Sequence, residues 1–460
     1  MVRTNTPLPN PPQGGRENRG VVPSPLEGEG RVGGDAASYV NAFRAFARAS
    51  EPRWLSEKRE AAIRRFSELG FPTRRQEAWR FTDLRPLQRA VFPPATTGAA
   101  PRLDDAHRLS DATHRIVLVN GRFAPELSDL GELPKGAWLA STSRTLAERP
   151  TLLEAIIDDT DMRGAQSFAS LNAALFADGF VLALDPGIAL DRPVEIIHFG
   201  EAAQPHSLHL RSAILLAPGS RAQLIESFAG TGSYWTNAVM TVGLSADAVL
   251  HHAKLQDEAA GAIHFAVTRA VLDRSARYES FVLTLGARLS RHDTFATLAG
   301  EQAQCGVSGA FLLRGEQEST NATFVDHLAP GGTTREVWKG VVEDRAHGVF
   351  LGRIAVRPEA QKTDAHQLNR NLLLSPRATV DTKPELEILA DDVKCSHGAT
   401  VGDLDENALF YLRARGIPEA EARHMLIEAF AADAIATVEP PALRDYLTSH
   451  LQRWLGRSRS

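Results

Sequence analysis

The spacing of apolar residues changes period twice along the chain. From about residue 37 to 90, apolar positions recur at three- and four-residue intervals, as Leu55, Ala62, Ile63, Phe66 and Leu69 do. That is the spacing of one face of an α-helix. Gly70 and Pro72 supply a stop for it. From about 115 to 400, helical periodicity gives way to short β-rich runs at 116–119, 194–197, 212–216, 282–285, 311–313 and 372–374, broken by Gly, Pro, Asp and Ser. Beyond residue 402 the helical spacing returns. Asp403 or Asp405 is placed to cap a helix through 407–415, which Gly416 stops. Pro418 opens a second helix with Ala422, Met425, Leu426, Ala429, Phe430 and Ile435 on one stripe, and Pro440-Pro441 divides off a third ending in Leu451, Trp454 and Leu455. Such stripes pack either on their own domain or on a partner, and the pattern leaves both open.

The β-rich region carries a repeat. A small or charged turn, then alanine, then an alternating strand recurs at Ala222, Ala248, Ala276, Ala303, Ala346 and Ala378, with intervals of 26, 28, 27, 43 and 32 residues. A propeller blade needs about 40–45 residues, so a period near 27 favours a coil of short strands in which stacked turns share one core. The 43-residue interval has room for an excursion from about 316 to 332. The alternative is a β-sandwich with coincidental alanines. The expected division is a disordered extension over 1–36, an N-terminal helical region with some strands over 37–170, a mainly β solenoid core over 171–402 and a C-terminal helical region over 403–460. The extension is rich in Pro and Gly and lacks the apolar content to build a core. Its deletion is expected to leave folding and activity intact.

Composition narrows the function classes. The chain has 460 residues, is 43% apolar and 23% charged, and carries a net charge of −5, which favours neither nucleic acid nor an anionic membrane. No apolar run approaches the roughly 18 residues a membrane span needs, and no secretory signal is evident. With two cysteines, Cys305 and Cys395, there is no disulfide framework and no self-contained cysteine-rich zinc site. A cytoplasmic protein is expected. The phosphate loop of an ATPase, the dinucleotide fingerprint and the Gly-x-Ser-x-Gly nucleophile elbow are all missing from the sequence.

One stretch stands out chemically. Cys395 and His397 lie two residues apart, so on a strand both side chains share one face. Thiol and imidazole suit iron, zinc or copper, but two ligands fill half a coordination sphere, and the rest would come from another chain. Buried cysteine is often only a small hydrophobe. Here Asp391, Asp392, Lys394 and His397 surround it, and a neighbouring cation would favour the thiolate. A Cys–His hydrolase lacks an evident oxyanion loop. Glu385 and Glu387, on one strand face, read as solvated carboxylates, although a sugar-cleaving solenoid could also use such a pair. His251 and His252 should point to opposite strand faces, as should His206 and His209, which are most simply solvated. Asn321-Ala-Thr323 matches a glycosylation sequon of no consequence in a cytosolic chain. In the segment 74–82, Trp79 reads as a core anchor within a basic, solvated turn.

These residues also resemble a known family. The segment 379–402, Thr-Val-Asp-Thr-Lys-Pro-Glu-Leu-Glu-Ile-Leu-Ala-Asp-Asp-Val-Lys-Cys-Ser-His-Gly-Ala-Thr-Val-Gly, is similar to the core of the SufB/SufD family of iron–sulfur cluster assembly proteins. The stretches 361–374, 410–417, 427–432 and 76–82 resemble the same family. The B-type branch reads Glu-His-Glu-Ala-Thr where this chain reads Cys395-Ser396-His397-Gly398-Ala399-Thr400, which is the D-type form. The resemblance implies a right-handed parallel β-helix flanked by helical regions. It also implies a non-catalytic scaffold subunit that pairs with the B subunit, SufB, and docks the ATPase SufC through its C-terminal helices. SufB would receive sulfur from a cysteine desulfurase system, and a homodimer could form where SufB is absent. Cys395 and His397 match positions implied to hold iron or a nascent cluster at the interface, His397 as a neutral imidazole ligand and Cys395 as ligand or sulfur holder. Reduced flavin is associated with the family complex, although no fingerprint for it is present. A purely structural docking subunit with an inert Cys–His pair, and a carbohydrate-active β-helix, are the competing readings.

Overall fold

The computed structural model describes residues 36–457 except 46–50, 89, 96–107, 111, 155, 156, 158–161 and 163. The expectation for the N-terminal extension lies outside the described residues. Helices α1 (Ala36–Ala45), α2 (Arg53–Leu69) and α3 (Arg85–Gln88) come first. Strands β1 (His114–Val119), β2 (Arg122–Phe123) and β3 (Ala137–Ser141), helices α4 (Thr142–Glu148), α5 (Thr151–Glu154) and α6 (Gln166–Leu175), and strand β4 (Phe180–Leu184) follow. Two long strands, β5 (Val194–Leu216) and β6 (Arg221–Leu244), then lead into eleven shorter ones. These are β7 (Val249–Gln256), β8 (Ile263–Leu272), β9 (Arg277–Thr284), β10 (Leu289–Leu298), β11 (Gln304–Leu313), β12 (Glu318–His327), β13 (Thr333–Val342), β14 (His347–Val356), β15 (Asp364–Leu373), β16 (Thr379–Ile388) and β17 (Lys394–Gly402). Helices α7 (Glu406–Ala414), α8 (Glu419–Ile435) and α9 (Pro441–Arg457) end the chain.

From β6 onward, each strand pairs in parallel with the strand two further along. One ladder runs β6–β8–β10–β12–β14–β16 and the other β6–β7–β9–β11–β13–β15–β17. The chain therefore coils, laying one strand on each of two sheets per turn, as the repeat predicts. Val249 pairs with Arg277 and Arg277 with Gln304, so the preceding alanines 248, 276 and 303 stack, all fully buried. The residue before each has a left-handed backbone, with φ of 62° at Asp247, 55° at Ser275 and 59° at Gln302. Amides of Ala248 and Ala276 close turns onto the carbonyls of Ser245 and Asp273. A tight corner with positive φ at its third position, followed by a small inward side chain, is the physical content of the motif.

The long interval holds no excursion. Residues 318–327 form β12, a regular rung. Ala346 and Ala378 belong to the other sheet, where His347 pairs with Thr379, so the interval from 303 to 346 crosses from one sheet to the other. Ala222 pairs with Leu250 and stands outside the alanine stack.

Inward residues such as Leu250, Tyr278, Val307, Phe311, Trp338 and Phe350 fill the bore. The two helical regions cover different sheets. Tyr39, Phe66, Trp79 and Phe168 pack with Trp235, Phe265 and Leu289 on one. Ala431, Ile435, Leu447, Leu451 and Trp454 pack with Ala253, Leu283 and Leu312 on the other. Arg59 of α2 donates to the carbonyls of Ala174 and Phe176 at 2.9 and 3.1 Å, satisfying the last turn of α6. Trp79 is buried as expected and donates to Gly164 O, while Arg74, Arg75 and Arg80 are exposed. Asp405 accepts from the amides of Asn407 and Ala408 as the N-cap of α7. The buried side of α8 is Ala422, Ala431, Ala434 and Ile435, and Met425 and Ala429 are exposed. Ala422 and Ile435 of the expected stripe are thus buried and Phe430 packs partly on the same core, while Met425 and Ala429 fall outside the buried side. Leu69 is likewise exposed at the end of α2. Among the described residues no helix is long and apolar enough to cross a membrane.

Candidate functional site

Strand β17 is the last rung. It pairs with β15 over Asp364–Leu372 and Lys394–Gly402, and among the described residues no strand pairs with its other edge. Inner positions that are buried on β15, such as Ala365, Gln367, Asn369 and Asn371, are therefore uncovered on β17. Cys395 lies over Ala365 and His397 over Gln367. Cys395 packs against the bore core. His397, two residues on, shares its inward face, as the spacing predicts. Ser396 between them faces out, 2.6 Å from His366 Nδ1. His397 is exposed because the bore ends above it, and Cys395 is half-buried.

The electrostatics of the thiol run opposite to the sequence expectation. Partial burial, then the Asp364 carboxylate, push the Cys395 thiol above its ordinary range, and the Ala365 backbone hydrogen bond offsets this only in part. Lys394 lies opposite Asp364 on the ladder, one residue before Cys395 and so on the other face of the strand. The thiol stays protonated until something displaces the proton. Among the described residues no group of three or more His, Cys, Asp or Glu side chains is arranged to hold a metal, so the pair offers two donors and needs more.

Other candidates separate cleanly. Glu385 pairs with Lys383 at 3.1 Å, and the Glu387 carboxylate meets Arg353. Both carboxylates are thus part-exposed and paired with cations, in keeping with solvated surface groups. Cys305 is sealed in the bore, its thiol pushed well up, first by burial. Asn321 is fully buried. His251 and His252 do face opposite ways: His252 points into the bore against Glu226, and His251 lies 3.8 Å from Glu439 of the C-terminal region. His209 is buried, not solvated. It lies 3.1 Å from Ser207 Oγ, and burial lowers its pKa to about 3. His206 is half-buried.

The bore also holds polar residues that sequence reasoning passed over. Glu226 gathers His198, His252 and Lys254, and Glu258 meets His264 at 2.8 Å. Nearer the open end, Glu336 accepts from Thr323 at 2.9 Å and from Gln367 at 2.8 Å. Burial pushes its pKa up to about 7. The signal was present as polar residues at inward positions of alternating strands, but reading it required the register.

The model for the SUF system FeS cluster assembly SufBD core domain matches residues 198–430, and that for the SufBD protein N-terminal region matches 36–196. This chain belongs to the SufBD family of iron–sulfur cluster assembly proteins. It is 32% identical over 410 residues to the iron-sulfur cluster assembly protein SufD of Escherichia coli, covering 88% of this chain and 94% of that protein. It is also 32% identical over 418 residues to the SufBD family protein slr0076 of Synechocystis, covering 86% and 90%. The SufD of Bacillus subtilis is 24% identical over 417 residues. Within the SufBD core match lie every rung of the solenoid from β6 to β17 and the Cys395–His397 pair.

Proposed function

We propose that this SufD homologue is a scaffold subunit whose open solenoid end pairs with a paralogous B-type subunit, and whose Cys395 and His397 contribute to binding iron or a nascent cluster there. The observation that carries this reading is the position of the pair. Two metal-competent donors face the bore on an uncovered last rung, with too few neighbours to complete a site. An unpaired strand edge invites another strand, so the partner that covers it is placed to bring the remaining ligands. Iron is cargo in this scheme. Neutral imidazole accepts it directly. The raised thiol must lose a proton to the solvent as the metal binds, so Cys395 joins after, or together with, His397.

The chain has no phosphate loop, so ATP hydrolysis falls to a SufC-type partner, docked on the C-terminal helices. Its work would be mechanical, moving one subunit against the other at the covered end. The cellular setting of the scheme is cytoplasmic.

The test is anaerobic reconstitution of the complex with its B-type and ATPase partners. His397→Ala should leave the complex intact and sharply reduce cluster formation, with Cys395→Ser giving a smaller loss. Wild-type cluster yield from His397→Ala would remove the ligand role and leave a docking subunit with an inert pair.

A further inference from the structure

A column of inward side chains leads from the bore to its open end. The ladder aligns Glu336 on β13 with Gln367 on β15, and Gln367 with His397 on β17. Adjacent strands lie about 4.8 Å apart, so side chains in one column meet those of the next rung. Glu336 and Gln367 are 1% and 3% exposed. Gln367 gives its Nε2–H to Glu336 Oε2, and Thr323 gives its hydroxyl proton to the same oxygen. Burial lifts the Glu336 pKa to about 7, so above that pH the carboxylate is ionised and only accepts, and it then dictates which end of the amide it meets. The nitrogen end of Gln367 is committed to Glu336, and its carbonyl Oε1 is left as the acceptor. That Oε1 is buried and has no hydrogen-bond partner, a state that costs about 1–3 kcal/mol if it persists. The next rung of the column carries an imidazole.

We infer that Gln367 is a positioning residue for His397, its carbonyl accepting the imidazole N–H that faces the bore, so that the other ring nitrogen presents its lone pair at the open end. Glu336 acts one step back, by orienting the amide. Histidines that bind metal characteristically donate their second N–H to such an acceptor, which selects the tautomer and fixes the ring plane. The consequence for cluster assembly rests on the reading of His397 as a ligand. The inferred Gln367–His397 hydrogen bond does not depend on it and rests on the register and the unpartnered carbonyl.

The test is long-range 1H–15N spectroscopy of the full chain labelled at histidine, with His397→Gln assigning the resonance. The wild-type ring should show one dominant neutral tautomer, and Gln367→Met, similar in length but without the carbonyl, should shift the tautomer ratio about tenfold toward the other form. If Gln367→Met does not fold, Glu336→Gln serves, because it frees the amide to rotate and should shift the ratio in the same direction. An unchanged ratio in the folded variant, or an even mixture in the wild type, overturns the inference. The two readings fail separately. Normal cluster yield from His397→Ala removes the ligand role while a shifted tautomer upholds the contact. A lost cluster with an unmoved tautomer removes Gln367 and keeps the ligand.

Discussion

His252 Nε2 and Glu226 Oε2 lie 2.9 Å apart inside the solenoid, both side chains sealed from solvent. The same carboxylate meets His198 at 3.2 Å and Lys254 at 3.5 Å. Burial alone would raise its pKa, but the Lys254 ammonium and the hydrogen bonds from His198 and His252 hold it well below the ordinary range. Removing one partner of a buried pair strands the other charge, at about 3–5 kcal/mol. Glu226→Leu is therefore expected to cost about that much in denaturant unfolding, and Glu226→Leu with Lys254→Met to recover much of it. A depressed carboxylate stabilises the fold above its unfolded pKa of roughly 4.3, and that contribution is lost as pH falls further. The difference between wild type and variant should shrink below about pH 4.

Glu336 predicts the opposite pH dependence. Burial raises its pKa from 4.5 to about 7. An acid whose folded pKa is raised favours the fold at low pH. Its contribution declines as pH rises through the unfolded value toward the folded one. Glu336→Gln removes this titration. The stability of the variant relative to wild type should rise between about pH 4.5 and 7, by about 3 kcal/mol in all, and level off above that. A flat difference across this range would show that Glu336 does not titrate in the bore.

Much of this architecture is written locally. Asp405, Gly70 and Gly416 act through neighbours within a few residues, and each does what its local sequence predicts. The solenoid is also legible, because the corner before Ala248, Ala276 and Ala303 is a local turn with a steric demand. Long-range pairing is not. Whether Ala303 or Ala346 stacks on Ala276 depends on which sheet each strand joins, and this is why 318–327 could pass for an insertion. The same holds for the candidate site. That Cys395 and His397 share a face follows from strand alternation. That Asp364 sits close enough to raise the thiol, and that Gln367 lies beneath the imidazole, follows only from a register spanning about thirty residues per turn.

The alanine stack is testable by volume. Ala248, Ala276 and Ala303 occupy successive corners with no exposed surface. Two added methyl groups at the middle member have nowhere to go without displacing a turn. Ala276→Val should cost about 1–3 kcal/mol by overpacking, read as a lower denaturation midpoint with an unchanged slope. A neutral result would mean that the corners are loose and that the alanine repeat carries no packing role.

The C-terminal helices offer a last contrast, between what holds the fold and what is left over for a partner. Leu447 on α9 is fully buried against the solenoid, and Leu447→Ala should cost about 2–5 kcal/mol. Phe410 and Tyr411 on α7 are 73% and 56% exposed. They pack against little of their own chain, although Arg415 lies over the Tyr411 ring at 4.2 Å. Met425 adds a third exposed apolar side chain on α8. Large apolar groups clustered at the surface mark interaction sites more often than isolated ones do. Replacing Phe410 and Tyr411 by Ser should change stability by no more than about 0.5 kcal/mol each. If this surface docks the ATPase subunit, the same double variant should lose SufC on co-purification while still retaining the B-type partner proposed to cover β17. Retention of both partners at wild-type levels would place the ATPase elsewhere on the chain, and loss of both would point to a general folding defect, which the denaturation midpoint would reveal.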